Sequence, residues 1–125
     1  MSKRILVIEN DPFILELLTD LLTRFGYSVE GAPSGSEALT KLADDEFDGI
    51  LLDIHLYDMD GRGVYQKIKD RSFDLARRTV FVTGDLANPQ TASFIRETGN
   101  LCLQKPFTVM ELKAILKRSF EEKNQ

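Results

Sequence analysis

Three aliphatic residues run directly into an acid, Ile50-Leu51-Leu52-Asp53, within the stretch Gly49–Gly61, GILLDIHLYDMDG. A short, unbroken apolar run fits a strand covered on both faces, the kind found in a parallel sheet. Such a strand has no place for a charge along its length, so Asp53 belongs at its end, where the chain surfaces. The sequence then turns polar and breaks at Asp58, Asp60 and Gly61. A carboxylate is thereby set at the carboxyl end of a central strand, the edge where open α/β sheets bind ligands.

The rest of the chain repeats this pattern. The run RILVI, residues 4–8, stops at Glu9, Asn10 and Asp11. Asp11 before Pro12 reads as an N-cap followed by proline at the first helical position, rather than as a metal ligand. Ile14, Leu17, Leu18, Leu21, Leu22 and Phe25 recur at helical spacing until Gly26. Residues 27–32 read as a second, more exposed strand. Ser34 and Glu37 form a capping box for a second helix that carries Ala38, Leu39, Leu42 and Ala43. A third helix starts near Gly61 or Arg62 and carries Val64, Tyr65 and Ile68, and the polar residues 71–78 read as a loop.

Residues 80–82 (VFV) form a fourth strand that ends at Thr83-Gly84-Asp85. Asn88-Pro89 opens a helix that runs to about Thr98, before Gly99. Residues 101–103 are a short fifth strand ending at Lys105-Pro106, and Thr108 with Glu111 caps a last helix faced by Leu112, Ile115, Leu116 and Phe120. Residues 121–125 read as a frayed tail. Strict β/α alternation predicts an α/β fold, doubly wound, with five parallel strands, helices on both faces and right-handed crossovers. The 125 residues, 42% hydrophobic, suffice for one domain with a real core over 1–125.

Composition narrows the setting. The net charge of -4 speaks against nucleic acid as the main partner. Cys102 is alone, so no internal disulfide can form and a reducing compartment fits. The N-terminal apolar run, residues 5–8, is too short for a signal-peptide core. No run approaches the roughly 20 apolar residues of a membrane span. The reading is a soluble cytoplasmic domain with no membrane partner.

In a doubly wound sheet of order 2-1-3-4-5, the first, third, fourth and fifth strands are neighbours. Their carboxyl ends bring the acidic turn Glu9-Asn10-Asp11, Asp53, Thr83 and Lys105 to one edge. The chemistry this suits is phosphoryl transfer to a carboxylate, with Asp53 as nucleophile. A Mg²⁺ held by carboxylates and a backbone carbonyl would neutralise the phosphoryl oxygens. Lys105 and the Thr83 hydroxyl would contact the remaining oxygens. Neither GxGxxG nor GxxxxGK[ST] is present, so nucleotide binding lacks support. Asp58–Gly61 fails as a calcium loop. With Gly61 at position 6, positions 1 and 12 fall on Leu56 and Lys67, where acids are needed. His55, the only histidine, reads as an exposed imidazole whose place two residues after Asp53 bears on water access. Cys102 reads as a buried small hydrophobe.

Four segments, ILVIENDP at 5–12, LLDIHLYDMDG at 51–61, VFVTGD at 80–85 and LQKPF at 103–107, resemble in order and spacing the receiver domain of two-component response regulators. Residues 81–107 are similar to receivers attached to hybrid histidine kinases. The resemblance implies a flavodoxin-like (βα)5 fold. It implies that Asp53 takes a phosphoryl group from a histidine kinase or a histidine phosphotransfer protein, and that the chain is a monomer or a phosphorylation-linked dimer. It implies Mg²⁺ coordination by the acidic turn at Glu9 and Asn10, by Asp53 and by the His55 main-chain carbonyl. Thr83 would be the switch hydroxyl, Lys105 the phosphate contact, and Pro106 would follow a cis peptide bond. The face from Thr83 to Phe107 would change on phosphorylation. The resemblance fits a stand-alone receiver or a module of a hybrid kinase, with no room in these residues for a DNA-binding output domain.

Three departures from the pattern carry expectations. Asn10 stands where the pattern has a metal-contacting carboxylate, so Mg²⁺ should bind more weakly unless Asp11 moves in. Tyr57 replaces a proline, which predicts a less rigid loop. Cys102 replaces an aromatic residue that swings inward on activation, so that movement is not carried over. The competing reading is a pseudo-receiver that docks partners without phosphorylation, with Asn10 as its sign. Retention of Asp53, Thr83 and Lys105 speaks against it. An aspartate-nucleophile phosphatase of another α/β family is weaker still, because Asp53 is followed by Ile54 and His55 rather than by a DxD pattern.

Overall fold

The five apolar runs pair as one parallel sheet in the order β2-β1-β3-β4-β5. The computed structural model describes residues 2–121. The strands are β1 (Arg4–Ile8), β2 (Ser28–Ala32), β3 (Gly49–Asp53), β4 (Thr79–Thr83) and β5 (Cys102–Gln104). The helices are α1 (Pro12–Arg24), α2 (Gly35–Asp44), α3 (Gly61–Arg71), α4 (Phe73–Arg77), α5 (Pro89–Thr98) and α6 (Val109–Leu116), the last continuing as a π-helical turn over Lys117–Glu121. The order is that expected of a doubly wound sheet, and β1 and β3 are its inner neighbours.

Side chains alternate between two cores, one on each face of the sheet, as the two-residue period of a strand requires. Leu6, Ile8, Ile50, Leu52 and Phe81 face one core with Ala38 and Leu42 of α2, Val64, Tyr65 and Ile68 of α3, and Ile95 of α5. Ile5, Val7, Leu51, Val80, Val82 and Leu103 face the other, with Leu18 and Leu22 of α1 and Leu112 and Leu116 of α6. Leu6, Val7, Ile50, Leu51 and Leu52 are wholly withdrawn from solvent. Each such side chain contributes about 1.5–3 kcal/mol of burial, which fixes the strand that carries Asp53.

The helix starts follow the caps. Asp11 accepts from the Phe13 and Ile14 amides, and Pro12 occupies the first turn. Ser34 accepts from the Glu37 amide, Asn88 from the Gln90 amide, and Thr108 and Glu111 close a reciprocal capping box. Gly99 ends α5 in the left-handed conformation, at φ 74°.

Three expectations are corrected. Residues 71–78 are not a loop. Ser72 caps the short helix α4 by accepting from the Leu75 amide, and Ala76 inserts into the core. With five residues, α4 is too short to show a helical period in sequence. The fifth strand is displaced by one residue, to Cys102–Gln104, although the Leu101 carbonyl still accepts from the Phe81 amide. Of the tail expected to fray, Glu121 lies in the π-helical turn, and residues 122–125 lie outside the described residues. The Lys105–Pro106 peptide bond is cis, as the resemblance implies.

Candidate functional site

The carboxyl ends of β1, β3 and β5 converge on Asp53. Asp53 is 3% exposed, although it is a carboxylate at a strand end. Its Oδ1 accepts a hydrogen bond from the His55 amide at 3.0 Å, an Asx-type turn that holds the first residues of the β3–α3 loop. Its Oδ2 faces Lys105 Nζ at 3.4 Å. Lys105 Nζ also lies 2.8 Å from Glu9 Oε1. That contact is an ion pair without hydrogen-bond alignment, and Glu9 Oε1 has no hydrogen-bond partner among the described residues. The other oxygen, Oε2, accepts from the Asp11 amide at 3.1 Å.

Two buried acids around one ammonium set the electrostatics. Burial, and next the neighbouring Asp53 carboxyl, push the Glu9 carboxyl up to about 7, against the pull of Lys105 and the Asp11 amide. Burial alone would lower the Lys105 ammonium. The close contact with Glu9 and the charges of Asp53 and Glu9 outweigh it and hold the ammonium above its ordinary value.

Thr83 is fully buried on β4, one residue beyond Val82, the register partner of Asp53. Its hydroxyl oxygen accepts from the Asp85 amide at 3.0 Å, so the hydroxyl proton is free to be donated elsewhere. Its carbonyl accepts from the Lys105 amide at 2.8 Å, which ties the two residues across β4 and β5.

The loop after Asp53 is anchored by two devices that the sequence reading missed. The Asp58 carboxylate accepts from the Gly35 and Ser36 amides, both at 2.9 Å, at the N-terminus of α2. Those two amides hold the Asp58 carboxyl below its usual range. Two free amides after Ser34 were a legible signal for an acid, but only the fold brings Asp58 to them. At the loop's far end the Gly61 amide donates to the Ile54 carbonyl at 2.8 Å. A side chain at Gly61 would put its Cβ 2.6 Å from the Asp53 carbonyl oxygen. Glycine is required there by close backbone approach. The His55 imidazole is largely exposed, as read from sequence, but it is not solitary. Its Nε2 lies 3.0 Å from Asp85 Oδ2, so the pair spans the ends of β3 and β4.

Asn10 lies on the inner side of the β1–α1 turn, against Asp53 Oδ2 and the His55 carbonyl. The donors that face the cleft are thus the carboxylates of Glu9 and Asp53, the Asn10 amide and the His55 main-chain oxygen. All are hard oxygens, and one of them, Glu9 Oε1, has an open lone pair. This donor set fits a magnesium ion. Among the described residues no three acidic, histidine or cysteine side chains gather, so a cation here depends on the neutral oxygens of Asn10 and His55. Asp11 is committed to capping α1. A cavity of about 660 Å³ lined by Lys3, Phe25, Tyr27, Lys113 and Lys117 opens at the opposite edge of the sheet and holds none of these residues. Cys102 is half-buried against the core, and burial pushes its thiol up to about 11.

Comparison with known proteins gives one family. The sequence profile of the response regulator receiver domain matches residues 5–117. The transcriptional regulatory protein CrdR of Helicobacter pylori is 30% identical over 98% of this chain and 57% of its own length. The hybrid signal transduction histidine kinase L of Dictyostelium discoideum is 30% identical over 92% of this chain and 7% of its own length. The chain therefore spans between a fourteenth and rather more than half of these relatives. Among solved structures, a CheY-like receiver domain protein from Methanospirillum hungatei superposes with a TM-score of 0.88, at 29% identity, covering 97% of this chain and 95% of its own. The receiver domain of a sensor histidine kinase from Pseudomonas aeruginosa, solved with magnesium in its active-site cleft, superposes with a TM-score of 0.84 at 24% identity, covering 98% of this chain and all of its own.

Proposed function

The chain belongs to the response regulator receiver domain family, and we propose that Asp53 is its phosphoacceptor. The observation that carries this is the buried Asp53 carboxylate, with Oδ1 pinned by the His55 amide and Oδ2 turned to the Lys105 ammonium. A carboxylate so held is a positioned nucleophile.

In the transfer, an Asp53 oxygen forms the new bond to phosphorus as the bond from phosphorus to the donor breaks, and the electron pair leaves with the donor. The donor is a phosphohistidine of a histidine kinase or phosphotransfer protein, or a small acyl phosphate. Lys105 places its ammonium where the phosphoryl oxygens gather charge, and the Thr83 hydroxyl supplies a proton donor on the adjoining strand. Glu9, Asn10, Asp53 and the His55 carbonyl would hold magnesium, which when bound neutralises the incoming oxygens. In the release step, water attacks phosphorus as the bond from phosphorus to the Asp53 oxygen breaks, which frees inorganic phosphate and returns the carboxylate, so one site serves both loading and release.

One relative extends the reading. The hybrid kinase relative supports a place in a phosphorelay, either alone or within a longer kinase chain. No described helix is long and apolar enough to cross a membrane. The acidic balance speaks against this domain itself holding nucleic acid.

The test is intact-protein mass after incubation with acetyl phosphate, with and without magnesium, for wild type and Asp53→Asn. A magnesium-dependent gain of one phosphoryl group in wild type, absent in the variant, is the expected result. No gain in wild type under any condition would overturn the reading and leave a docking domain of the same fold.

A further inference from the structure

Asn10 is the residue whose chemistry the phosphoacceptor reading does not explain. Two acceptors face its side chain, Asp53 Oδ2 and the His55 main-chain oxygen. An amide oxygen turned toward them would meet only acceptors, since neither a carboxylate nor a carbonyl can donate. With its nitrogen turned inward, the same amide donates to the His55 oxygen at 2.9 Å and to Asp53 Oδ2 at 3.2 Å. These two oxygens are also two of the four groups read above as cation ligands.

We propose that the Asn10 amide is a two-position latch. With its nitrogen inward it bridges Asp53 to the loop at His55 while no cation is bound. Rotated half a turn about its Cβ–Cγ bond, it presents its oxygen as a ligand once the cation arrives. The inference rests on the reading of Asn10, Asp53 and His55 as cation ligands.

The rotation itself is easy, because the terminal torsion of asparagine is broad and roughly two-fold. Its two end states differ in what they satisfy. In the first, two amide protons take the place of positive charge beside a buried carboxylate. In the second, an amide dipole is added to the cation's oxygen shell. An aspartate at this position could occupy only the second. Ionised, it accepts and never donates, and it would stand as a further negative charge beside Glu9 and Asp53. Asparagine therefore holds the cation-free site in shape, and the cation must displace two hydrogen bonds to enter. The device accounts for a receiver that keeps Asp53, Thr83 and Lys105 and yet has an amide at Asn10 where the pattern has a metal-contacting acid.

The experiment compares wild type, Asn10→Asp and Asn10→Ala, first in chelator and then across a magnesium titration. Thermal midpoints are read in chelator. Backbone amide resonances of Asp53 and His55 and the side-chain NH₂ pair of Asn10 are read by NMR during the titration. In chelator both variants should melt below wild type. With magnesium, Asn10→Asp should bind roughly tenfold more tightly, since affinity in oxygen sites follows ligand charge. In wild type the Asn10 NH₂ pair should shift together with the backbone signals and saturate at the same magnesium concentration. The latch is overturned if Asn10→Ala is as stable as wild type in chelator. It is equally overturned if the NH₂ pair stays still while Asp53 and His55 titrate, in which case the cation reading survives. If magnesium binds neither wild type nor Asn10→Asp, the cation reading fails, and the latch fails with it.

Discussion

Lys105 stands closer to Glu9 than to the residue it would serve: its Nζ is 2.8 Å from Glu9 Oε1 and 3.4 Å from Asp53 Oδ2. The ammonium is thus shared between two buried carboxylates. Glu9 is 1% exposed, so leaving its charge unpaired is costly.

Replacing Lys105 with methionine keeps the aliphatic stem and removes the charge. Breaking a buried pair costs about 3–5 kcal/mol, but Lys105 is one-quarter exposed and Glu9 can take up a proton instead. The expected loss is therefore smaller, about 1–3 kcal/mol at pH 8, and smaller again at pH 5, where Glu9 is protonated. Urea unfolding at the two values in chelator measures both. An equal loss at pH 5 and pH 8 would show that the lysine's contribution does not run through the Glu9 charge.

Glu9 has a pH signature of its own. Its carboxyl is raised in the folded protein from an ordinary 4.5 to about 7. Between those values the folded chain keeps a proton that the unfolded chain has released, so stability falls as pH rises. The contribution is complete below about 4.5 and is lost as pH passes through about 7. Glu9→Gln should flatten this fall in chelator. A wild-type slope that survives the substitution would assign the titration to another group.

Gly61→Ala tests how tightly the loop seals the site. The added Cβ would meet the Asp53 carbonyl at 2.6 Å and the Ile54 Cα and carbonyl oxygen at 2.7 Å, all of them backbone atoms. Forced repacking of this kind costs about 1–3 kcal/mol. Since the strain falls on Asp53 itself, phosphorylation by acetyl phosphate should slow as the melting temperature drops. A variant that melts like wild type would mean that the loop gives way freely at Ile54.

Most of the fold was legible because its signals are local. Asp11-Pro12, Ser34 with Glu37, Asn88-Pro89 and Thr108 with Glu111 each mark a helix start within four residues, and Asp11, Ser34, Asn88 and Thr108 each cap a helix, with the reciprocal box closed at Thr108 and Glu111 and only its Ser34 half formed at α2. The apolar runs marked the strands, and the acids and lysine at their ends marked the site. What escaped depends on contacts between residues far apart in sequence. Ser72 and Ala76 make α4 only because Ala76 finds a core to enter. Nothing near Asp58 says that it will cap α2, or near His55 that Asp85 will face it. Asn10 was legible as a departure from the family pattern. That its amide spans Asp53 and the His55 carbonyl follows only once β1 lies beside β3.

The alternation of Ile50, Leu51 and Leu52 between the two cores also bears on which coding changes this gene can carry. Exchanging one aliphatic for another disturbs packing at a single point, and cores absorb such swaps. Losing one codon from β3 does something different. It exchanges the two faces for every residue beyond the gap, and it draws Asp53 back by about 3.3 Å, one strand step, from Glu9 and Lys105. In this strand, count is guarded more strictly than identity.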